Sequence, residues 1–171
     1  MEQPYKRSMA PVGASEPTLL LLGSLPGAAS LAAQAYYAHP HNQFWRLLGD
    51  ALGEPLAEID YAERLHRLAL RRVALWDVVG EARRSGSLDS ALRDVVANPF
   101  AEFVDRQPQL AAIGFNGQTA ARIGRKVLGD RPNIELIDLP SSSAAYTLAF
   151  AVKAERWSVL ANFATAATLS R

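Results

Sequence analysis

The sequence predicts a three-layer α/β/α domain, an α/β fold with a short, mostly parallel sheet of about four strands. Apolar runs with strand character recur along the chain, and segments with helical periodicity lie between them. Strands that alternate with helices favour a parallel sheet with helices on both faces. The apolar runs contain few alternating polar residues, as is typical of strands buried on both sides.

Four apolar runs are the predicted strands of this sheet. They span residues 19–22, 73–76, 110–115 and 134–139. Polar residues follow each run, and the carboxyl ends of parallel strands lie at one edge of a sheet. We therefore expect the segments after the four strands to contribute to a single site.

The predicted helices show apolar residues at three- and four-residue spacing. They span residues 44–52, 61–69 and 120–128, and a long final helix covers residues 150–164. Gly129 is placed to end the third of these helices. Ser87 and Asp89 are predicted to be the N-cap and first-turn acid of a further helix through Leu92 and Val95.

Composition bounds the class of protein. The chain has 171 residues, enough for one domain, which we place at residues 17–171 after a loose, polar tail at residues 1–16. No apolar run approaches the ~20 residues of a membrane span, and the first residues lack the apolar core of a signal peptide. We therefore expect a cytoplasmic protein. Absence of cysteine excludes disulfides, thiolate-held metals and a cysteine nucleophile.

The stretch from Gly23 to Trp45 is the centre of the predicted site. The first strand ends in a tight turn, Gly23-Ser24-Leu25-Pro26-Gly27. The side chains that follow are polar or aromatic and comprise Gln34, Tyr36, Tyr37, His39, His41 and Asn42. Tyrosine offers a flat face for stacking, and asparagine offers both a donor and an acceptor. This composition indicates a ligand pocket.

An ordered set of motifs resembles the uracil-DNA glycosylase superfamily. The turn and the run Ala38-His39-Pro40…Asn42…Phe44-Trp45 are similar to its mismatch-specific thymine/uracil branch. The resemblance is closest to the hypoxanthine (deoxyinosine) branch. It rests on Gly23-Ser24-Leu25-Pro26, Tyr36-Tyr37-Ala38-His39-Pro40, Leu75-Trp76-Asp77-Val78, Gly86-Ser87-Leu88-Asp89 and Phe115-Asn116-Gly117. Leu139-Pro140-Ser141-Ser142-Ser143 stands where the superfamily's second motif falls.

The resemblance implies a monofunctional DNA glycosylase that hydrolyses the N-glycosidic bond of deaminated bases and leaves an abasic site. Hypoxanthine is the first expected base, with uracil and xanthine as further candidates. Leu25 stands where the mismatch branch has a catalytic asparagine, and Leu139 stands where the second motif elsewhere begins with histidine or asparagine. The resemblance therefore implies Asn42 as the catalytic residue, with Asn116 as a second choice that contacts or orients the base.

Other residues are expected to bind the substrate. Tyr37, or in its place Tyr36, would stack on the flipped base, and His39 lies in the same motif. Backbone N–H groups of residues 24–27 would hydrogen-bond the base edge, because glycine permits close approach of the backbone to a ligand. The expected phosphate or minor-groove contacts are Ser141, Ser142, Ser143, Arg83, Arg84 and Arg122.

The lysines favour simple hydrolysis. Lys6, Lys126 and Lys153 are the only lysines, and none falls in a motif, whereas strand cleavage through a Schiff base needs an amine nucleophile. No metal or organic cofactor is implied. The expected partner is damaged DNA with one flipped nucleotide. We expect a monomer and no membrane association.

Structural explanations remain open for individual residues. Asn42 and Asn116 each precede a predicted helix and suit N-caps. His39 and His41 have only His66 to complete a metal site, the three serines suit a flexible loop, and Asp77 and Asp138 at strand ends are interpreted as structural. Two other functions stay open as well. One is a catalytically weak binder of damaged DNA or nucleotides, and the other is a Rossmann-like enzyme using a phosphate-bearing small molecule.

Overall fold

A computed structural model describes residues 4–166 of the chain. Its strands are β1 (Tyr5–Arg7), β2 (Val12–Gly13), β3 (Leu19–Gly23), β4 (Val73–Asp77), β5 (Val79–Arg83), β6 (Arg93–Ala97), β7 (Ala112–Asn116) and β8 (Glu135–Leu139). Its α-helices are α1 (Ala28–Ala33), α2 (Phe44–Leu52), α3 (Tyr61–Leu70), α4 (Phe100–Asp105), α5 (Gln118–Leu128) and α6 (Phe150–Trp157).

The central sheet contains the four predicted strands, which confirms the predicted fold class. Its strand order is β2-β4-β3-β7-β8. β3 pairs in parallel with β4 and β7, and β7 pairs in parallel with β8. The fifth strand, β2, was not predicted and adds to β4 in antiparallel orientation. The leucines of β3 are at most 1% exposed, so the middle of the sheet is the centre of the core.

The helices that cover the sheet agree with the sequence periodicity over α2, α3 and α5. Gly129 follows α5 with a φ of +62°, as expected for a helix stop. The predicted final helix is too long, because α6 ends at Trp157 and a 3₁₀ turn, Ser158–Asn162, continues the chain. The short helices α1 and α4 were not predicted.

A second sheet lies beside the first and was missed. It is antiparallel, with the order β1-β5-β6. The helix expected through Leu92 and Val95 is wrong, because a 3₁₀ turn at Asp89–Ala91 leads directly into β6. Pairing of β6 with β5 therefore determines the local structure here, rather than the local capping pattern.

The segment predicted as a loose tail is part of the domain over residues 5–13. β1 and β2 pair with β5 and β4. Trp76 Nε1 donates to the Met9 carbonyl at 3.0 Å, and the Tyr36 hydroxyl donates to the Ala10 carbonyl at 2.9 Å. The tail prediction is therefore corrected for these residues. Residues 1–3 of the predicted tail and residues 167–171 of the predicted domain lie outside the described range.

Close packing places α5 against the end of β7. A Cβ atom at Gly124 would lie 2.2 Å from the ring of Phe115, so only glycine permits this distance between helix and strand. This contact holds α5 beside Asn116, the last residue of β7. Within residues 4–166, no helix is long and apolar enough to cross a membrane.

Candidate active site

A cavity of about 530 Å³ opens at the carboxyl ends of β3, β4, β7 and β8. The segments that follow these strands meet there, as the topology of a parallel sheet requires. Of the residues expected from sequence to form the site, those lining the cavity are Gly23, Ser24, Leu25, Pro26, Gly27, Tyr37, His39, Asn42, Asn116, Ser141, Ser142 and Ser143.

In the turn after β3, the carbonyl groups accept hydrogen bonds from the protein, whereas three of the amides have no acceptor among residues 4–166. The Gly23 and Ser24 carbonyls accept from the amides of Val78 and Val79 at 2.8 and 3.0 Å. The Leu25 and Pro26 carbonyls accept from the guanidinium of Arg84 at 3.3 and 2.5 Å. Among residues 4–166, no acceptor is found for the amides of Ser24, Leu25 or Gly27. These donors are available to a ligand in the cavity.

None of the three arginines expected to contact phosphate lines the cavity. Arg84 is 1% exposed and its guanidinium also donates to the Gly86 carbonyl, so it organises the turn and does not reach a phosphate. Burial lowers the pKa of Arg84. Arg83 pairs with Asp94 at 3.3 Å and lies over the ring of Tyr5. Arg122 is exposed on α5 and does not line the cavity.

Side chains on the loop of Ser87 and Asp89 support the same turn. Ser24 Oγ donates to Asp89 Oδ1 at 2.6 Å, and the Ala28 amide donates to Ser87 Oγ at 3.1 Å. Ser87 therefore accepts from the start of α1, and its predicted role as a cap of its own helix is wrong.

The two tyrosines differ in environment. The ring of Tyr37 stacks on Phe44 with a centroid distance of 3.7 Å and an interplanar angle of 10°, while the residue remains half-buried at the cavity. Tyr36 is 2% exposed and its hydroxyl is bound to the N-terminal segment. Tyr36 also lines the cavity but is a core residue, so Tyr37 has the more exposed ring. Burial raises the pKa of both phenols, so both stay protonated at neutral pH.

Three polar side chains form a hydrogen-bond relay at the edge of the cavity. Asn116 Nδ2 donates to Ser142 Oγ at 2.9 Å, and Ser142 Oγ donates to Asn42 Oδ1 at 2.8 Å. Backbone amides set its direction, because the Ser142 amide donates to Asn116 Oδ1 and the Phe44 amide donates to Asn42 Oδ1, each at 2.9 Å. We refer to Asn116, Ser142 and Asn42 as the relay.

The relay changes what its three members can do. Asn42 Oδ1 already accepts two hydrogen bonds, so it cannot also accept one from a catalytic water. Its Nδ2 has no acceptor among residues 4–166 and is available in the cavity.

Ser142 is 1% exposed between the two amides, which excludes its hydroxyl as a phosphate contact. Asn116 binds Ser142 and is not the cap of α5, whose N-cap is Gly117. For Asn42, the bond to the Phe44 amide shows that a capping contact exists at the start of α2.

The serine loop is held by groups on α2 and α6. The Gln43 amide donates to the Ser142 carbonyl at 2.9 Å, and Trp157 Nε1 donates to the Pro140 carbonyl at 2.9 Å. Lys153, which is 0% exposed, donates to Gln43 Oε1 at 2.9 Å and to the Ser143 carbonyl at 3.2 Å. The burial of Lys153 and its contacts with this loop were not predicted from the sequence. Lys153 lies four residues before Trp157, on the apolar face of α6, and this spacing is the sequence signal that could have indicated its burial.

Asp77, interpreted from sequence as structural, lines the cavity and is 3% exposed. Ser8 Oγ donates to its Oδ2 at 3.1 Å. Burial raises the pKa of the Asp77 carboxyl to about 7. A carboxyl group that titrates near neutrality in a ligand cavity is a candidate functional group.

The histidines form a local loop contact. His39 Nδ1 accepts from the His41 amide at 3.1 Å, and both side chains are exposed. His39 lines the cavity and His66 does not. No cluster of three or more His, Cys, Asp or Glu side chains suited to a metal occurs within the described range.

Similarity to known proteins extends over most of the chain. The sequence profile of the Uracil DNA glycosylase superfamily matches residues 10–162. A protein named hypoxanthine DNA glycosylase from Methanosarcina acetivorans is 39% identical over 140 residues, which cover 82% of this chain and 87% of the relative. A protein of the same name from Methanosarcina barkeri is 41% identical over 113 residues, which cover 66% of this chain and 72% of the relative.

A solved structure shares the fold. The solution NMR structure of a Methanosarcina acetivorans protein, provisionally named a uracil DNA glycosylase, superposes with a TM-score of 0.81 at 36% sequence identity. The match covers 92% of this chain and 96% of that protein.

Proposed function

Because this chain belongs to the uracil DNA glycosylase superfamily and is a DNA glycosylase, we propose that it removes deaminated bases from DNA, hypoxanthine first. The reaction is hydrolysis of the N-glycosidic bond, which leaves an abasic site. Two relatives at about 40% identity carry the name hypoxanthine DNA glycosylase, and this supports hypoxanthine over uracil or xanthine.

The observation that carries the proposal is the relay beside a cavity of suitable size. About 530 Å³ lies within the range of small-ligand pockets and suits one nucleotide taken out of the duplex. An N-glycosidic bond inside the duplex is inaccessible to a protein group, so the nucleotide must enter the cavity. The relay then lies beside the reacting sugar.

Asn42 is the proposed catalytic residue, and Asn116 and Ser142 are positioning residues. The sugar carries positive charge as the bond breaks, so the attacking water needs orientation more than deprotonation. Asn42 Nδ2 would donate to that water and leave a lone pair of the water facing the sugar carbon. The relay holds the amide in the orientation that makes this donor available.

The base is proposed to bind between Tyr37 and the turn after β3. One face of the Tyr37 ring already stacks on Phe44, which leaves its second face for the base. The amides of Ser24, Leu25 and Gly27 would donate to acceptor atoms on the base edge. His39, Ser141 and Ser143 line the cavity and would contact the sugar–phosphate backbone.

The positions of the lysines support a monofunctional hydrolase. None of Lys6, Lys126 and Lys153, all within the described range, lines the cavity. The Lys153 ammonium is buried and donates to Gln43 and Ser143, while Lys6 donates to the Gly86 carbonyl at 2.8 Å. Schiff-base cleavage of the strand would need a free amine at the sugar.

The test measures base release from matched duplexes containing deoxyinosine or deoxyuridine. Wild type should release hypoxanthine, with abasic sites revealed by alkali and an intact strand in the untreated lane. Asn42→Ala should lower the rate by about a hundredfold or more, a loss of ~2.7 kcal/mol of transition-state stabilisation.

Asn133→Ala is the matched control. Asn133 is exposed in the turn before β8, away from the cavity, so its removal should leave release unchanged. If wild type bound the inosine duplex but released no base, the proposal of a hydrolase would give way to that of a binding module. Equal rates for wild type and Asn42→Ala would move the catalytic role to another residue.

A further inference from the structure

The end of β4 carries a buried carboxyl group that the hydrolysis described above does not use. Asp77 is in register with Gly23 across the parallel β3–β4 ladder, so it lies beside the start of the turn. It is 3% exposed and lines the cavity. Burying a carboxylate costs free energy, so one that faces a ligand cavity indicates a functional reason for its presence.

The two oxygens of Asp77 have different surroundings. Oδ2 accepts from Ser8 Oγ at 3.1 Å. No donor to Oδ1 is found among residues 4–166, although Oδ1 lies close to the turn. A Cβ atom at position 23 would lie 2.7 Å from Oδ1, so glycine at this position allows the carboxylate to approach the turn.

Groups from several elements face this carboxyl. Burial raises the pKa of Asp77, the Asp89 carboxylate adds to the rise, and the Ser8 hydroxyl and Arg84 guanidinium oppose it. The phenols of Tyr36 and Tyr37 complete the surroundings. The ionised form is acceptor-only, and a ligand N–H at Oδ1 would favour that form.

Deamination changes the hydrogen-bond pattern of a base at one ring atom. Adenine N1 and cytosine N3 are acceptors, whereas hypoxanthine N1 and uracil N3 carry a hydrogen and are donors. The neighbouring amino group becomes a carbonyl oxygen. A deaminated base therefore presents a donor beside an acceptor, and its parent presents the reverse.

We propose that ionised Asp77 accepts the ring N–H of the deaminated base at Oδ1 and thereby rejects adenine and cytosine. The free amides of the adjacent turn would donate to the new carbonyl oxygen, so the cavity offers the complementary acceptor and donors side by side. An adenine in the same pose would place its N1 lone pair against the carboxylate. The inference rests on the proposed function and deepens it by naming the specificity group.

The test compares two purines that differ at the recognised edge. Matched duplexes contain deoxyinosine or deoxynebularine, whose unsubstituted purine lacks the C6 oxygen and has an acceptor N1. Base release by wild type, Asp77→Asn and Asp138→Asn is measured as kcat/KM at pH 8. Asp138 is the control, because it also lies at a strand end but is exposed and bound to Arg125.

Asp77→Asn should lower release of hypoxanthine tenfold or more and reduce the inosine-to-nebularine ratio by at least the same factor. The amide can donate to the nebularine N1, which the carboxylate cannot. Asp138→Asn should change neither value. An equal fall for both substrates would overturn the inference, because a structural or general-acid role affects both. Wild type that releases no hypoxanthine would overturn the proposed function itself.

A second variant tests the same group without changing it. Ser8→Ala removes the hydrogen bond that favours the ionised carboxylate, so Asp77 should ionise at higher pH. The acid limb of the kcat/KM profile for deoxyinosine should move to higher pH. An unshifted limb in a folded Ser8→Ala protein would contradict the assignment of that limb to Asp77.

Discussion

A single atom, Ser142 Oγ, connects the two asparagine side chains of the site. This oxygen accepts from Asn116 and donates to Asn42, and the Ser142 amide also binds Asn116. Because Ser142 Oγ accepts a hydrogen bond from Asn116 Nδ2, its own hydroxyl hydrogen is left to donate to Asn42 Oδ1. The two amides are therefore oriented by one serine, although the chain separates them widely.

Ser142→Ala should lower kcat for deoxyinosine about tenfold or more while leaving KM nearly unchanged. The methyl group removes one acceptor of Asn116 Nδ2 and one donor to Asn42 Oδ1, so Asn42 loses its orientation. Leaving buried partners unsatisfied also costs roughly 1–3 kcal/mol of stability. Steady-state kinetics and urea unfolding measure the two effects.

Ser141→Ala is the matched control for that change. Ser141 Oγ accepts from the Ser143 amide at 3.1 Å, and within residues 4–166 it has no hydrogen bond to either asparagine, so its loss should raise KM rather than lower kcat. A raised KM with unchanged kcat in Ser142→Ala would show that the relay does not orient the catalytic amide.

Side-chain pairing explains why the site was only partly predictable from sequence. Residue types and strand ends indicated that Asn42, Asn116 and the serines belong to one cavity. They did not indicate that Ser142 is buried while Ser141 and Ser143 stay partly exposed, because the three residues are identical in type. The orientation follows from tertiary contacts, such as the bond from the Gln43 amide to the Ser142 carbonyl.

At the scale of elements, the N-terminal segment links both sheets to the cavity. β1 extends the sheet of β5 and β6, β2 extends the central sheet, and Ser8 between them binds Asp77. Met9 and Ala10 contribute through backbone carbonyls, to Trp76 and Tyr36. Contacts made by carbonyls are independent of residue type, which is why this segment looked like a polar tail in the sequence.

Deleting residues 1–10 should destabilise the domain by at least about 2 kcal/mol, or roughly 4–8 °C in Tm, because buried donors lose their acceptors. Tyr36→Phe should cost about 1 kcal/mol in the full chain and nothing further in the truncated protein. Thermal and urea unfolding of the four proteins measure this coupling. Additive effects would show that the segment does not hold Tyr36.

The elements that were predicted and those that were missed differ in the range of their interactions. β3 is apolar throughout and α5 shows apolar residues at helical spacing, so their own residues indicate their structure. β6 is exposed along its whole length and has no apolar period. It forms because β5 pairs with it, and this pairing leaves no pattern within the residues of β6 itself.

At the scale of the whole molecule, three buried charged groups support or face the segments that form the cavity. Asp77, Arg84 and Lys153 are each at most 3% exposed. Arg84 holds the turn, Lys153 holds the serine loop, and Asp77 faces the cavity. Burial lowers the pKa of both cations and raises that of the acid, so each is less stable in its charged form than in water. The fold therefore gives up stability where the site is built.

The stability cost of Asp77 should depend on pH in a definite direction. Its folded pKa of about 7 lies above the ordinary value near 4, so the folded protein binds the proton more tightly than the unfolded chain. Asp77 therefore contributes fully to the stability of the fold below about pH 4, where it is protonated, and this contribution is lost as the pH rises to about 7. Asp77→Asn cannot ionise and escapes this loss. Its free energy of unfolding relative to wild type should therefore increase by roughly 2–4 kcal/mol between pH 4.5 and pH 8.5.

Urea unfolding of wild type, Asp77→Asn and Asp138→Asn at the two pH values measures this difference. Asp138→Asn loses an exposed ion pair with Arg125, so its effect should be small at both values. A constant difference between Asp77→Asn and wild type would show that Asp77 does not change its charge on unfolding in this range. An increase in the relative free energy of unfolding that is confined to Asp77→Asn would show that the carboxylate proposed to recognise the base also destabilises the fold. Binding of the substrate to that carboxylate would then offset the cost of ionising it.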